Sequence, residues 1–194
     1  HPANDRRNHP ARRFDIDEFI AHSGSEALQL LYAEETLPGA SAGNLFGEFD
    51  ATLEEVLHLI TQYGYARAYP HVWGESPGTD VAQAMDQARG GHFEDIPSRY
   101  PASAWYSYDD PTCEYDCQIA EYIYWALTSL LGAQQYSGRL DEIGHEWKLN
   151  TPEKVVMQDS AIYSLLSDPQ YGFAKILPDG DYQGIELLIK GYGE

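Results

Sequence analysis

The sequence predicts a mainly α-helical domain, α+β in class, with a small β-hairpin near its C-terminus. Three stretches predict it: an apolar i, i+3, i+4, i+7, i+11 pattern in DATLEEVLHLITQYG (50–64), the almost uncharged run CEYDCQIAEYIYWALTSLLG (113–132), and an Asp-Gly turn signal at residues 179–180. At 194 residues, 43% apolar and 13% aromatic, the chain can bury one core. Residues 1–13 (HPANDRRNHPARR) carry two prolines and no apolar period, so they read as a basic, weakly ordered arm, and residues 14–194 as a single globular domain.

Along the chain, residues 14–20 (FDIDEFI) alternate loosely as a short strand or entry turn, and Ser23 or Ser25 caps a helix through 27–31. Residues 38–43 (PGASAG) form a loop by composition. The next helix is expected from about 52 to 63, started by a capping box of Thr52 and Glu55, with Leu53, Val56, Leu57 and Ile60 on its apolar stripe. An aromatic segment broken by Pro70 follows, then a Gly/Pro turn, then a helix over 80–89 stopped by Gly90 and Gly91. Residues 94–112, rich in Pro, Tyr and Trp, read as an ordered aromatic loop that walls a groove or covers the core. Between Gln118 and Gly138 the only charged residue is Glu121, so the helix there runs through the core. A short helix over 140–147 is weakened by Gly144. Thr151 and Pro152 begin a last helix that runs to about Ser167, and 173–188 read as two strands around Pro178-Asp179-Gly180.

The charge narrows the function. The chain has 31 acidic against 12 basic residues, and four of the twelve bases lie in the first thirteen positions. Nucleic acid is excluded as a partner, because phosphate binding needs a basic surface. No run of eighteen apolar residues exists, so no membrane span is expected. The two cysteines, Cys113 and Cys117, are spaced for a local disulfide in an oxidising compartment, although free thiols in the cytosol are open on the same spacing. With the acidic charge they lead to the expectation of a secreted or periplasmic protein, although the first twenty residues lack the apolar core of a signal peptide.

The chemistry-bearing motif is Glu54-Glu55-Val56-Leu57-His58. It resembles the H-E-x-x-H helix of zincin-like metallopeptidases of the gluzincin type, with glutamate in place of the first histidine. The resemblance implies Glu54 and His58 as metal ligands one turn apart and Glu55 as the general base. Glu121, a lone carboxylate on an apolar helix, resembles the third ligand that this branch places on a second helix. A buried salt bridge or a tyrosine hydroxyl is the alternative partner for it. His71 or His145 would stabilise an oxyanion or add a ligand. A carboxylate in place of a histidine weakens the ion as a Lewis acid, so Mn²⁺ or Fe²⁺ suits the set as well as Zn²⁺. Asp109, Asp110, Glu114 and Asp116 crowd the loop before the apolar helix as candidate Ca²⁺ ligands, or as turn formers and helix N-terminal charges.

Two functions follow. One is a metal-dependent, zincin-like hydrolase acting on a peptide or protein. The other is a non-enzymatic secreted domain, stabilised by a cation, that binds an extracellular partner through an aromatic groove. In the second, Glu54 and His58 are an exposed i, i+4 pair on the solvent face of their helix.

Overall fold

The computed structural model describes residues 51–178 together with Ala27 and Gln29. The predicted arm, the strand or turn at 14–20, most of the helix at 27–31, the loop at 38–43 and the hairpin beyond Pro178 lie outside the described residues. Within them the protein is helical, with no strand and one isolated antiparallel bridge, Tyr106 to Trp147.

The elements are α1 (Thr52–Ile60), a π turn (Thr61–Tyr65), α2 (Ala66–Ala68), α3 (Asp80–Arg89), α4 (Tyr115–Leu130), α5 (Arg139–Ile143), α6 (Pro152–Gln158) and α7 (Ser160–Ser167). Helix α4 is the axis: α1, α3, α6 and α7 all pack on it. Every residue from Gln118 to Ser129 is buried, as a run with one charge requires. Around it lie Trp73, Met85, Tyr106, Tyr122, Tyr124, Trp147 and Ile162.

Local chemistry sets the boundaries. Thr79 caps α3 by accepting from Ala82 N at 3.3 Å, and Gly90 ends it in the left-handed region at φ 78°. Gly74 is required for packing, since a Cβ there would lie 2.2 Å from the Pro70 carbonyl oxygen.

Three expectations are corrected. Helix α1 has Ala51 at its N-cap with no side-chain cap bond, so the Thr52/Glu55 capping box does not form, and the Glu55 carboxylate instead accepts from the Gln29 amide. The α-helix also ends at Ile60: Thr61 Oγ1 donates back to the carbonyls of Leu57 (3.0 Å) and His58 (3.3 Å), and the chain widens into the π turn. The last helix is two, because Asp159 turns its backbone out of the helix and uses its carboxylate to cap α7 at Ile162 N (3.2 Å).

The orientation of α1 is the larger correction. Val56 and Ile60, on the expected core stripe, are each 47% exposed, whereas His58 is 7% exposed and the one buried residue of the helix. The apolar stripe lines a shallow groove with Leu127, Leu131, Leu177 and Pro178, and the polar face turns toward α4.

Candidate metal centre

Spacing on α1 puts Glu54 and His58 one turn apart on the inward face, and α4 presents Glu121 opposite them. One donor atom from each of Glu54, His58 and Glu121 lies within 4.8 Å of the other two. His58 Nε2 is 3.7 Å from Glu121 Oε2 and, though buried, has no hydrogen-bond partner. Tyr124, one turn beyond Glu121 on α4, sets its ring edge-on to the His58 imidazole at 6.1 Å between centroids.

The electrostatics are those of a site short of positive charge. Burial holds the Glu54 carboxyl far above its usual range, with the charges of Glu55 and Glu146 adding to the effect. Glu121 is raised further, by burial first and then by Glu54. Burial alone pushes the His58 imidazole down to about 4, so at neutral pH it is a neutral donor with a free lone pair. Removing one carboxylate from water costs several kcal/mol. Two sharing a buried site do not both ionise readily unless a cation joins them. Arg139, held by Gln134 and Glu142 and stacked on Trp125, is the nearby base, but its charge offsets little of what burial does to Glu54.

Two phenols flank the cluster, Tyr108 and Tyr124, and burial together with the neighbouring Glu121 and Glu54 charges keeps their hydroxyls protonated. Tyr108 is carried there by the bridge between Tyr106 and Trp147 and by Ser107 N donating to the Glu146 carbonyl at 2.8 Å. These contacts also bring Glu146 to the edge of the site.

Other predicted residues lie elsewhere. His71 is exposed, and His145 is exposed with its Nε2 3.5 Å from Glu146 Oε1, so neither joins the cluster. Asp109, Asp110, Glu114 and Asp116 do not gather into a site. Asp110 Oδ1 accepts from Thr112 N and Oγ1 at 2.8 and 2.7 Å, and Asp116 Oδ1 accepts from Cys117 N, which is turn and helix-start chemistry. Among the described residues Glu54, His58 and Glu121 form the one such donor group. Cys113 and Cys117 are joined in a disulfide at the start of α4. Arg89 is taken by Asp86 and Gln118, and Lys148 by the Ala104 carbonyl.

Glu146, Tyr108 and Tyr124 are the residues that sequence reasoning missed. Tyr124 carried a signal, since it is three positions from Glu121 and so shares its helix face. Tyr108 and Glu146 carried none, because loop pairing brings them in.

No protein-family model, curated protein or solved structure matches the chain. Among the described residues no helix is long and apolar enough to cross a membrane.

Proposed function

We propose that the protein is a metal-dependent hydrolase whose ion is held by Glu54, His58 and Glu121. The observation that carries the reading is the buried His58 Nε2, neutral and without a hydrogen-bond partner, facing two carboxyls that burial makes reluctant to ionise. A divalent cation supplies what all three lack. Donors around a four-coordinate ion sit about 3.4 Å apart at bond lengths of about 2.1 Å. The 4.8 Å limit on the present separations therefore asks for inward shifts of about 1 Å, within the reach of side-chain rotation.

Bound there, such an ion would supply Lewis-acid chemistry to a water and a carbonyl. Glu55, next to Glu54 on α1 and held by the Gln29 amide, would take the proton from the attacking water as its oxygen joins the carbonyl carbon, and would pass that proton to the departing amine as the C–N bond breaks. Tyr108, half-buried at the edge of the cluster with its hydroxyl kept protonated by burial and by the Glu121 charge, would donate to the developing oxyanion. A peptide or protein substrate follows from the resemblance of EEVLH to the zincin helix.

The enclosure of the site favours a second reading, in which the ion is structural and the protein is a secreted binding domain: His58 and Glu121 are each only 7% exposed. Hydrolysis separates the two. Protein loaded with Zn²⁺ or Mn²⁺ should cleave members of a quenched-fluorescence peptide library, and Glu55→Gln should abolish cleavage while keeping the metal. Metal-loaded protein that cleaves nothing supports the structural ion. Unchanged turnover in Glu55→Gln removes that residue from the mechanism.

A further inference from the structure

A cavity of about 450 Å³ opens beside the start of α4, and none of Glu54, His58 and Glu121 lines it. Its volume is that of a small-ligand site. The walls come from two stretches of chain: Glu94, Asp95 and Ile96 follow α3, while Pro111, Glu114 and Tyr115 lead into α4. Both stretches are held in place. Tyr115 is buried and its hydroxyl donates to Asp86 Oδ2 at 3.1 Å, and the same carboxylate holds Arg89 at 2.6 Å and His92 at 2.7 Å. Glu114 is the N-cap residue of α4 and stands inside the short loop that the Cys113–Cys117 disulfide closes. A wall fixed before the ligand arrives lowers the ordering cost of binding.

The charge around the cavity is one-sided, since three carboxylates line it and no basic residue does. Arg89, 5.1 Å from the centroid of the Tyr115 ring, is committed to Asp86 and Gln118. His92 turns Nδ1 to Asp86 and leaves Nε2 3.9 Å from Glu94, and among the described residues no lysine or arginine pairs with Glu94, Asp95 or Glu114. Glu114 and Asp116 match the positive end of α4, which leaves the Glu94 and Asp95 side negative. Carboxylates above an aliphatic and aromatic wall complement a cation on an apolar stem: the charge pairs with the rim while the methylenes lie along Ile96, Pro111 and Tyr115. We infer that this cavity is a binding site for a guanidinium or alkylammonium group on an aliphatic stem, the chemistry of an arginine or lysine side chain in a peptide, or of a free amine. Each ion pair at an exposed rim is weak, so selectivity comes from the carboxylates acting together, and loss of the ligand charge should weaken binding about tenfold.

NMR titration of the whole chain tests this, in chelator so that the result is separate from the fate of the metal centre. The probes are a short alanine peptide with one central arginine and both ends blocked, the same peptide with citrulline, which puts a neutral urea in place of the guanidinium, and free argininamide. The arginine peptide should bind about tenfold more tightly than the citrulline peptide, and it should move the amide signals of residues 94–96 and 113–115. Glu94→Gln/Glu114→Gln should lose this preference, whereas Asp141→Asn/Glu153→Gln, which removes the same charge from exposed positions elsewhere, should keep it. Argininamide binding as tightly as the peptide assigns the site to a free amine, and tighter binding of the peptide assigns it to a peptide side chain. Equal affinity for the arginine and citrulline peptides, shifts centred on another acidic surface, or a preference that both double variants lose equally overturns the inference. The comparison of probes on wild-type protein needs no variant to fold.

Discussion

His58 Nε2 and Glu121 Oε2 face each other at 3.7 Å across the interface of α1 and α4, yet they do not form an ordinary ion pair. Burial lowers the imidazole to about 4 and raises the carboxyl, so each group is driven toward its neutral form. The contact is a pair of metal-ligand types that a salt bridge does not satisfy.

His58 should therefore titrate far below an ordinary histidine in the metal-free protein. Its imidazole NMR signals, followed in chelator, should move near pH 4 rather than 6.5. Titration of His58 near 6.5 would mean that it is solvated or protonated beside Glu121.

Stability of the metal-free protein should depend on pH in two directions. The folded protein holds Glu54 and Glu121 protonated where the unfolded chain, with ordinary values of 4.5, has released those protons. Their contribution is present in full below pH 4.5 and is lost as pH rises through their raised values. For His58 the unfolded chain takes a proton below 6.5 and the folded protein only near 4, so stability also falls as pH drops across that interval. Thermal melts in chelator should show a decline above pH 6.5 that Glu54→Gln/Glu121→Gln flattens. Equal slopes in both proteins would contradict the buried acid pair.

Asp159 should be the most costly single carboxylate to remove for folding. It is 1% exposed and accepts from Trp105 Nε1 and Tyr122 Oη, both at 2.7 Å, and from Ile162 N. Asp159→Ala leaves an indole and a phenol buried without partners and should cost about 3 kcal/mol in urea denaturation, with Asp159→Asn nearer 1 kcal/mol.

The Cys113–Cys117 disulfide closes a short loop, with a sequence separation of four. Chain entropy puts its contribution at about 2 kcal/mol, at the low end for disulfides. Cys113→Ser/Cys117→Ser should melt lower by that amount, and no shift would mean that the reduced chain already holds this turn.

The clustering of Glu54, His58 and Glu121 was legible in the sequence because two features survive without tertiary knowledge: Glu54 and His58 are one helical turn apart, and Glu121 is a lone acid in an apolar helix. Which way α1 faces was not legible. Leu53, Val56, Leu57 and Ile60 form the more hydrophobic face, and the rule that such a face points inward fails because the acid and histidine face meets α4 while the stripe lines a surface groove. The π turn depended on the back-bonding of Thr61, and the break at Asp159 on donors from Trp105 and Tyr122, far away in sequence. The second is a tertiary effect that local propensity does not encode. The expected metal ligands in the 109–116 loop gave way to turn formation because Asp110 and Asp116 found backbone donors within two residues.

Metal content tests the central claim most directly. Untagged protein, purified without chelators or metal columns, should carry about one equivalent of Zn, Mn or Fe by elemental analysis, and Glu54→Ala/His58→Ala should carry none. Wild-type protein with no transition metal, or an equal content in both proteins, would contradict the assignment of Glu54, His58 and Glu121 as a metal centre.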